Sequence, residues 1–188
     1  MMRLFIVLGA VLALAGCANS GTGVVPPQTV EKVDLQRYQG TWYEVARLPM
    51  FFQRNCAQSE AHYALQDDGA VGVTNRCRTF DGEVQEVKGQ AVPQVPGQTS
   101  KLWVSFDNWA SALLPGLTKG DYWVLYLDEG YQTVLVGHPN RKYLWLLARD
   151  QEISPQRRDT LLEEARKRGY DTSKLIWWRT DSSMSLQR

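Results

Sequence analysis

"GTWYEVARLPMFF", Gly40 to Phe52, is the stretch on which the reading of this chain turns. Its first half has the composition of a β-strand, and Pro49 ends it. Beyond that proline, Met50, Phe51 and Phe52 stand where a reversal between two strands calls for Gly, Asn, Asp or Ser. An apolar loop directly after the first strand needs a reason, and the rest of the sequence has to supply it.

The chain has 188 residues, 44% of them hydrophobic and 22% charged, which suits one globular domain with a real core. Its 21 Lys and Arg nearly balance its 20 Asp and Glu, and no basic block occurs, so a nucleic-acid partner has no electrostatic support. Seven Trp, eight Tyr and five Phe need a core or a site to line.

From Leu35 onward, strand-like runs alternate with turn signals at short spacing, the pattern of a sandwich or barrel. Strands are expected near 40–47, 57–66, 70–78, 83–92, 101–106, 121–128, 131–137 and 143–149. The reversals are "DDG" at 67–69, "FDG" at 80–82, "VPGQ" at 95–98, "DEG" at 128–130 and "HPNRK" at 138–142. Ser154 and Pro155 then open an amphipathic helix with Leu161, Leu162 and Ala165 on one face and Gly169 at its end. A short strand, "KLIWW" at 174–178, follows. The fold class is therefore all-β: eight antiparallel strands with one C-terminal helix and a terminal strand. Closing the eight into an up-and-down barrel removes the exposed edges and leaves an interior able to hold one small ligand.

Residues two apart in a strand share a face. Tyr63 and Leu65, Val71 and Val73, Leu102, Val104 and Phe106, Tyr122, Val124 and Tyr126, Val134 and Val136, and Trp145 and Leu147 are expected inside. Val45, Leu125, Leu135, Leu144 and Leu146 are expected on the outer wall, under the helix. Glu44 shares the face of Trp42 and Ala46 and is read as a buried carboxylate partnered by an inward Arg or a Tyr hydroxyl. If strand one runs from the closed end to the mouth, the loops 48–56, 79–82, 107–120 and 138–142 all lie at the mouth. Two of them are apolar, "LPMFF" at 48–52 and "WASALLPGL" at 109–117, so the mouth reads as a ligand doorway or a contact surface. The candidate ligand-binding residues are Phe51, Phe52, Tyr63, Val73, Val104, Phe106, Tyr122, Val124, Tyr126, Val134 and Trp145. Tyr122 and Tyr126 are candidate hydroxyl donors to a polar head, and the orientation of Phe51 and Phe52 is open between ligand and bilayer.

The N-terminus has a separate logic. Met1, Met2 and Arg3 lead into an apolar run from Leu4 to Leu14, about 11 residues, too short for a membrane that needs about 20. Residues 1–16 read as a cleaved export signal. "LAGC", Leu14 to Cys17, resembles the lipobox of bacterial lipoproteins, which implies acylation of Cys17 and a lipid-anchored chain. Ala18 stands where inner-membrane lipoproteins often carry Asp, so the outer membrane, on its periplasmic face, is the implied address. Residues 17–32 then form the lipidated N-terminus and flexible tether, 33–180 the barrel domain and 181–188 a disordered tail. In an oxidising periplasm, Cys56 and Cys77 are most simply a disulfide, with a nucleophilic thiol as the alternative.

No constellation for catalysis is visible. His62 and His138 are far apart, without Cys or carboxylate at metal-ligand spacing, and there is no Gly-x-Ser-x-Gly and no phosphate loop. No metal, no cofactor and no catalytic residue is expected.

At this point the residues resemble the lipocalin family, and the bacterial outer-membrane lipoprotein lipocalins in particular. Gly40, Thr41 and Trp42 match the family's Gly-x-Trp, within the longer "YQGTWYEVARLP". Its Thr-Asp-Tyr motif is partly kept in "LDEGY", with Asp128 matching, Leu127 in place of Thr and Tyr131 offset by a turn residue. The Arg at the end of strand eight is Arg149. The resemblance implies that Gly40, Trp42, Asp128 and Arg149 are structural residues of the barrel floor, with the Trp42 indole stacked under the Arg149 guanidinium. It also implies a small lipophilic ligand, a fatty acid or lysophospholipid, stored or moved during envelope maintenance or stress. Two other readings stay open: an enzyme acting on a lipophilic substrate through a cavity thiol, and an interaction module whose rim meets another protein or a second copy in a homodimer.

Overall fold

The turn residues reverse the chain after each strand, and the computed structural model, which describes residues 25–107 and 119–178, shows the resulting order. Helix α1 (Leu35–Tyr38) precedes β1 (Gly40–Arg47), a 3-10 turn at Phe51–Gln53, β2 (Cys56–Leu65), β3 (Val71–Thr79), β4 (Val84–Pro93) and β5 (Lys101–Phe106). β6 (Gly120–Leu127), β7 (Thr133–Gly137), β8 (Leu144–Ala148), α2 (Pro155–Lys167) and β9 (Ile176–Trp177) complete it. Neighbours pair antiparallel from β2 round to β8, and β1 pairs with both β8 and β2, so the eight strands close. Cys17, residues 1–16, "WASALLPGL" at 109–117 and the tail at 181–188 lie outside the described residues.

Closure makes β1 serve three partners. Gly40–Tyr43 bonds to β2, Tyr43–Arg47 to β8, and Ala46–Arg47 also to β9. The register against β8 shifts between Glu44 and Ala46, a β-bulge that bends the strand away from β2. One residue of slip exchanges the two faces. Trp42 and Glu44 point inward as expected, but Ala46 packs in the outer-wall cluster, and Arg47 turns inward in its place. A second bulge, between Val124 and Tyr126 in β6, has the same effect. Val124 stays inside, Leu127 rejoins the interior, and Tyr126 lies outside against the cluster under α2. Tyr126 is thus corrected from a cavity residue to an outer-wall residue.

The outer wall is built as the apolar outer positions require. Val45, Leu125, Leu135, Leu144 and Leu146 are covered by Leu161 and Ala165 of α2 and by Tyr170. Ser154 caps α2 by accepting from the Arg157 N–H at 3.3 Å, and Gly169, at φ 81°, ends it.

At the floor, Asp34 caps α1 by accepting from the N–H groups of Gln36 and Arg37 at 2.9 and 3.3 Å. This one-turn helix slides under the barrel, and the Trp42 indole N–H donates to the Tyr38 carbonyl at 2.9 Å. The Arg149 guanidinium lies 3.9 Å from the Trp42 ring centroid and donates to the carbonyls of Thr41 and Arg37, both at 2.9 Å. Gly40 sits at φ 92°, which calls for glycine, and a side chain there would also crowd the Arg149 guanidinium at 3.3 Å. Asp128 closes the β6–β7 turn, accepting from the Gln132 N–H at 2.8 Å and from both the N–H and the hydroxyl of Thr133. Tyr131, the offset residue of the partial motif, accepts from the Asp34 N–H at 2.9 Å and stacks under Arg37. The floor contact survives with a shifted tyrosine.

The tether is shorter than the composition suggests. From Val25 the chain is pinned to the barrel: Arg141 donates to the Val25 carbonyl at 2.8 Å, Arg168 to that of Gln28 at 3.1 Å, and the Val30 N–H to Val124 at 3.0 Å. Val33 is buried in the inner core. Residues 25–32 therefore pack on the barrel that begins at 33.

Trp42→Ala empties the largest fully buried side chain from the floor and strands the Arg149 guanidinium. The expected cost is about 3–5 kcal/mol, read as a lowered midpoint in urea unfolding followed by circular dichroism.

Candidate functional site

The interior divides into three levels. Lowest are three tyrosines: the Tyr122 hydroxyl meets those of Tyr38 at 2.8 Å and Tyr63 at 3.0 Å. Burial is the main cause that drives the hydroxyls of Tyr38 and Tyr122 well above the ordinary tyrosine range and that of Tyr63 up to about 12. All three therefore stay neutral at physiological pH. Two contacts use two of the three O–H protons, so one donor of the trio is uncommitted. Beside them Leu35, Val71, Ala91, Leu102 and Val104 enclose a cavity of about 10 Å³, at the lower limit for one water.

The middle level is apolar. Val73, Val104, Val124 and Val134 are buried there together with Val136 and Leu147, and Phe106 and Trp145 pack against them. Every one of these was expected inside from alternation. Apart from the Trp145 indole N–H, which donates to Gln53, this set carries no polar side-chain atom, so the level suits an aliphatic chain.

The upper level is a buried polar cluster created by the β1 bulge. Arg47, 3% exposed, donates to the Glu44 carboxylate at 2.6 Å and to the carbonyls of Gln53 and Cys56 at 2.8 and 2.9 Å. The two carbonyl contacts stand where β1 has left β2, so the guanidinium fills the gap in the backbone ladder. Gln53, at the end of the 3-10 turn, donates to Glu44 at 3.0 Å and to Ser59 at 3.3 Å, and accepts from the Trp145 indole at 2.8 Å. The turn that carries Phe51 and Phe52 is thereby tied into the barrel. Among the described residues, three buried side-chain atoms have no hydrogen-bond partner: Arg47 Nε, Asn75 Oδ1 and, in the outer-wall cluster, Trp123 Nε1. Glu44 was read as partnered by an inward Arg or a Tyr hydroxyl, and the partner is Arg47. Arg47, Gln53, Ser59 and Tyr38 were not read as interior residues, and only the bulge, which sequence alternation does not reveal, brings Arg47 in.

At the rim, Phe51 is 69% and Phe52 39% exposed. Arg54 stacks on Phe51, and Phe52 meets Tyr143 edge-on. Neither ring folds into the barrel. Cys56 and Cys77 form a disulfide that joins the mouth ends of β2 and β3 across a sequence separation of 21. A loop of that size corresponds to about 3 kcal/mol in the chain-entropy model. The bridge takes both thiols away from the enzyme reading.

His62 meets the Thr41 hydroxyl and His138 the Asp121 carboxylate, each a local contact on its own side of the barrel. A larger concavity of about 530 Å³ lies outside the barrel where β1 parts from β2, with Glu60, Arg76, Arg78 and Glu152 in its walls. Its charged lining does not match a lipophilic ligand, and the interior remains the candidate site.

Comparison with known proteins agrees with this geometry. Residues 33–180 match the family model described as a lipocalin-like domain. Over 151 residues the chain is 38% identical to temperature-induced lipocalin-1 of Arabidopsis thaliana, covering 79% of this chain and 80% of that protein. Over 179 residues it is 36% identical to the outer membrane lipoprotein Blc of Citrobacter freundii, covering 94% and 97%. Among solved structures, insecticyanin from the tobacco hornworm Manduca sexta superposes with a TM-score of 0.65 at 18% identity, covering 86% of this chain and 88% of that one. At that identity the likeness speaks for the fold.

Burial raises the Glu44 carboxyl above its ordinary value of 4.5, and Arg47 and Gln53 offset this only in part. A raised folded value means that the group's stabilising contribution is complete below 4.5 and is lost as pH rises through the folded value. Glu44→Gln imitates the protonated acid and does not titrate. The variant is therefore expected to gain stability relative to the wild type as pH rises above 4.5, measured as the difference between their urea midpoints at each pH.

Proposed function

The chain belongs to the lipocalin family, and from that premise we propose that it binds a fatty acid or lysophospholipid in the barrel and serves lipid storage or transport in the bacterial envelope. The observation that carries this reading is the apolar middle level, lined from β3, β5, β6, β7 and β8 by Val73, Val104, Val124, Val134 and Leu147. The void beside the tyrosines is about 10 Å³, so an acyl chain enters as these packed side chains part, and its burial yields about 25 cal/mol per Å² of apolar surface removed from water. The head group lies toward the Glu44–Arg47–Gln53 cluster, whose buried guanidinium retains one unpaired donor. Entry requires the Phe51–Gln53 turn to swing out and Gln53 to release Glu44, Ser59 and Trp145.

Acylation of Cys17 and an outer-membrane address follow from the lipobox-like "LAGC" and are supported by the relatives named as outer membrane lipoproteins. With Cys56 and Cys77 bridged, binding is favoured over thiol catalysis.

In a displacement assay, lysophospholipid is expected to compete a fluorescent long-chain fatty acid off the purified protein. Val104→Trp, which fills the middle level, should weaken that binding about tenfold or more. Failure of every long-chain acyl ligand to bind the folded wild type would remove the proposal.

A further inference from the structure

The two ends of the barrel differ in a way that bears on how the protein sits on its membrane. At the mouth, Phe51 (69% exposed), Phe80 (50%) and Val84 (64%) present apolar side chains from two neighbouring loops, with Phe52 beside them. The Phe80 N–H donates to the Asn55 carbonyl at 3.3 Å, so the 3-10 turn and the β3–β4 hairpin form one rim. At the floor the β2–β3 hairpin is polar, "QDDG" at 66–69, and the β4–β5 hairpin exposes Val95 (56%) but no aromatic ring.

The N-terminal segment leaves the barrel at this same end. Val33 is held by Thr99 at the floor, Val30 bonds to β6 in the middle, and Val25 bonds to Arg141 in the β7–β8 loop. That loop also carries Tyr143, against which Phe52 packs. Read toward the N-terminus, the chain climbs the outer wall and departs beside the rim. Cys17 lies eight residues before Val25, a span of at most about 28 Å when fully extended. Strands of eight residues with ordinary barrel tilt stand roughly 20–25 Å tall. An anchor on the floor side would leave the connection almost no slack, whereas an anchor on the mouth side is adjacent.

We propose that the apolar rim is a docking surface for the bilayer, so that the anchored protein stands mouth-down with Phe51, Phe80 and Val84 in the lipid interface. The inference rests on the acylation of Cys17 set out above. It gives the ligand a direct path between membrane and cavity, since the 3-10 turn tied to the upper polar cluster through Gln53 carries two of the rim rings. The rim loops 48–55 and 79–84 carry Arg54 against Asp81 and Glu83, and the β7–β8 loop adds Arg141 and Lys142, so apolar contact is joined by a modest attraction to anionic lipid.

The test uses the full lipoprotein purified from membranes, with acyl chains on Cys17 verified by mass, in vesicles of phosphatidylethanolamine and phosphatidylglycerol. With Cys17 acylated and Cys56–Cys77 bridged, Val84→Cys at the mouth or Asp67→Cys at the floor offers one free thiol for a fluorophore. Nitroxide-bearing phospholipids should quench the mouth probe several-fold more than the floor probe. Phe51→Ser in the Val84→Cys background should cut that quenching severalfold without changing the unfolding midpoint. Equal quenching of both probes, or none at either, overturns the inference while leaving the anchor intact. A mouth probe shielded in a concentration-dependent way without vesicles assigns the rim to a second copy and also overturns it. Absence of acyl chains defeats the anchor reading and this inference with it, and the displacement assay judges ligand binding separately.

Discussion

The bulge between Glu44 and Ala46 is the constraint on which both ends of this barrel depend. A sheet of eight strands closes only if β1 satisfies β8 along its length and β2 on its other edge, and here it cannot do both. β1 stays with β2 through Tyr43, then bends, and β9 takes the freed edge. Below the bulge the alternation is undisturbed, so Trp42 points to the axis and is sealed by Arg149. Above it the alternation is reversed, so Arg47 enters the barrel and its guanidinium takes the Gln53 and Cys56 carbonyls at the opened seam. One extra residue converts a failure of pairing into a polar site under the mouth.

That polar site is not there for stability. A buried ion pair gains little net energy, because desolvating two charges cancels most of their attraction, and an apolar pair of similar volume often does better. The raised carboxyl of Glu44 is the sign of this cost. What the pair does is orient: Glu44 and Arg47 together fix Gln53, Gln53 fixes the turn, and the turn sets Phe51 and Phe52 at the rim. The floor motif residues, by contrast, are paired, with Arg149, Trp42, Asp128 and Tyr131 each bonded to backbone. Rigidity at the base and a conditional latch at the mouth divide the labour of a container.

Period-two alternation made most of the interior legible. Tyr63, Val73, Val104, Val134 and Leu147 lie where it put them, because each sits in a stretch of unbroken ladder, and Val124 does so because it precedes the β6 bulge. It failed at Tyr126 and Ala46, and both lie just past a bulge, where one residue of slip exchanges the faces. The Gly-x-Trp stretch and Arg149 signalled the floor, but α1 escaped notice because a single turn has no period and only Asp34 marks its start. The upper cluster escaped for another reason. Its members, Glu44, Arg47, Gln53 and Ser59, come from a strand, a turn and the next strand, and they meet only because the seam opens there.

The quoted stretch "GTWYEVARLPMFF" thus carries the whole axis of the barrel in 13 residues, floor to rim. Gly40 and Trp42 need a fixed, fully bonded environment, and the three carbonyls that Arg149 engages supply it. Phe51 needs the opposite, a position that water makes unfavourable and that only an apolar neighbour relieves. A loop built only to reverse the chain would have no use for such rings. Their retention at the mouth, next to the point where the N-terminal segment departs, follows if the neighbour is supplied from outside the chain. The apolar loop and the buried latch then answer one requirement: a mouth held shut in water whose rim has reason to move only at a lipid surface.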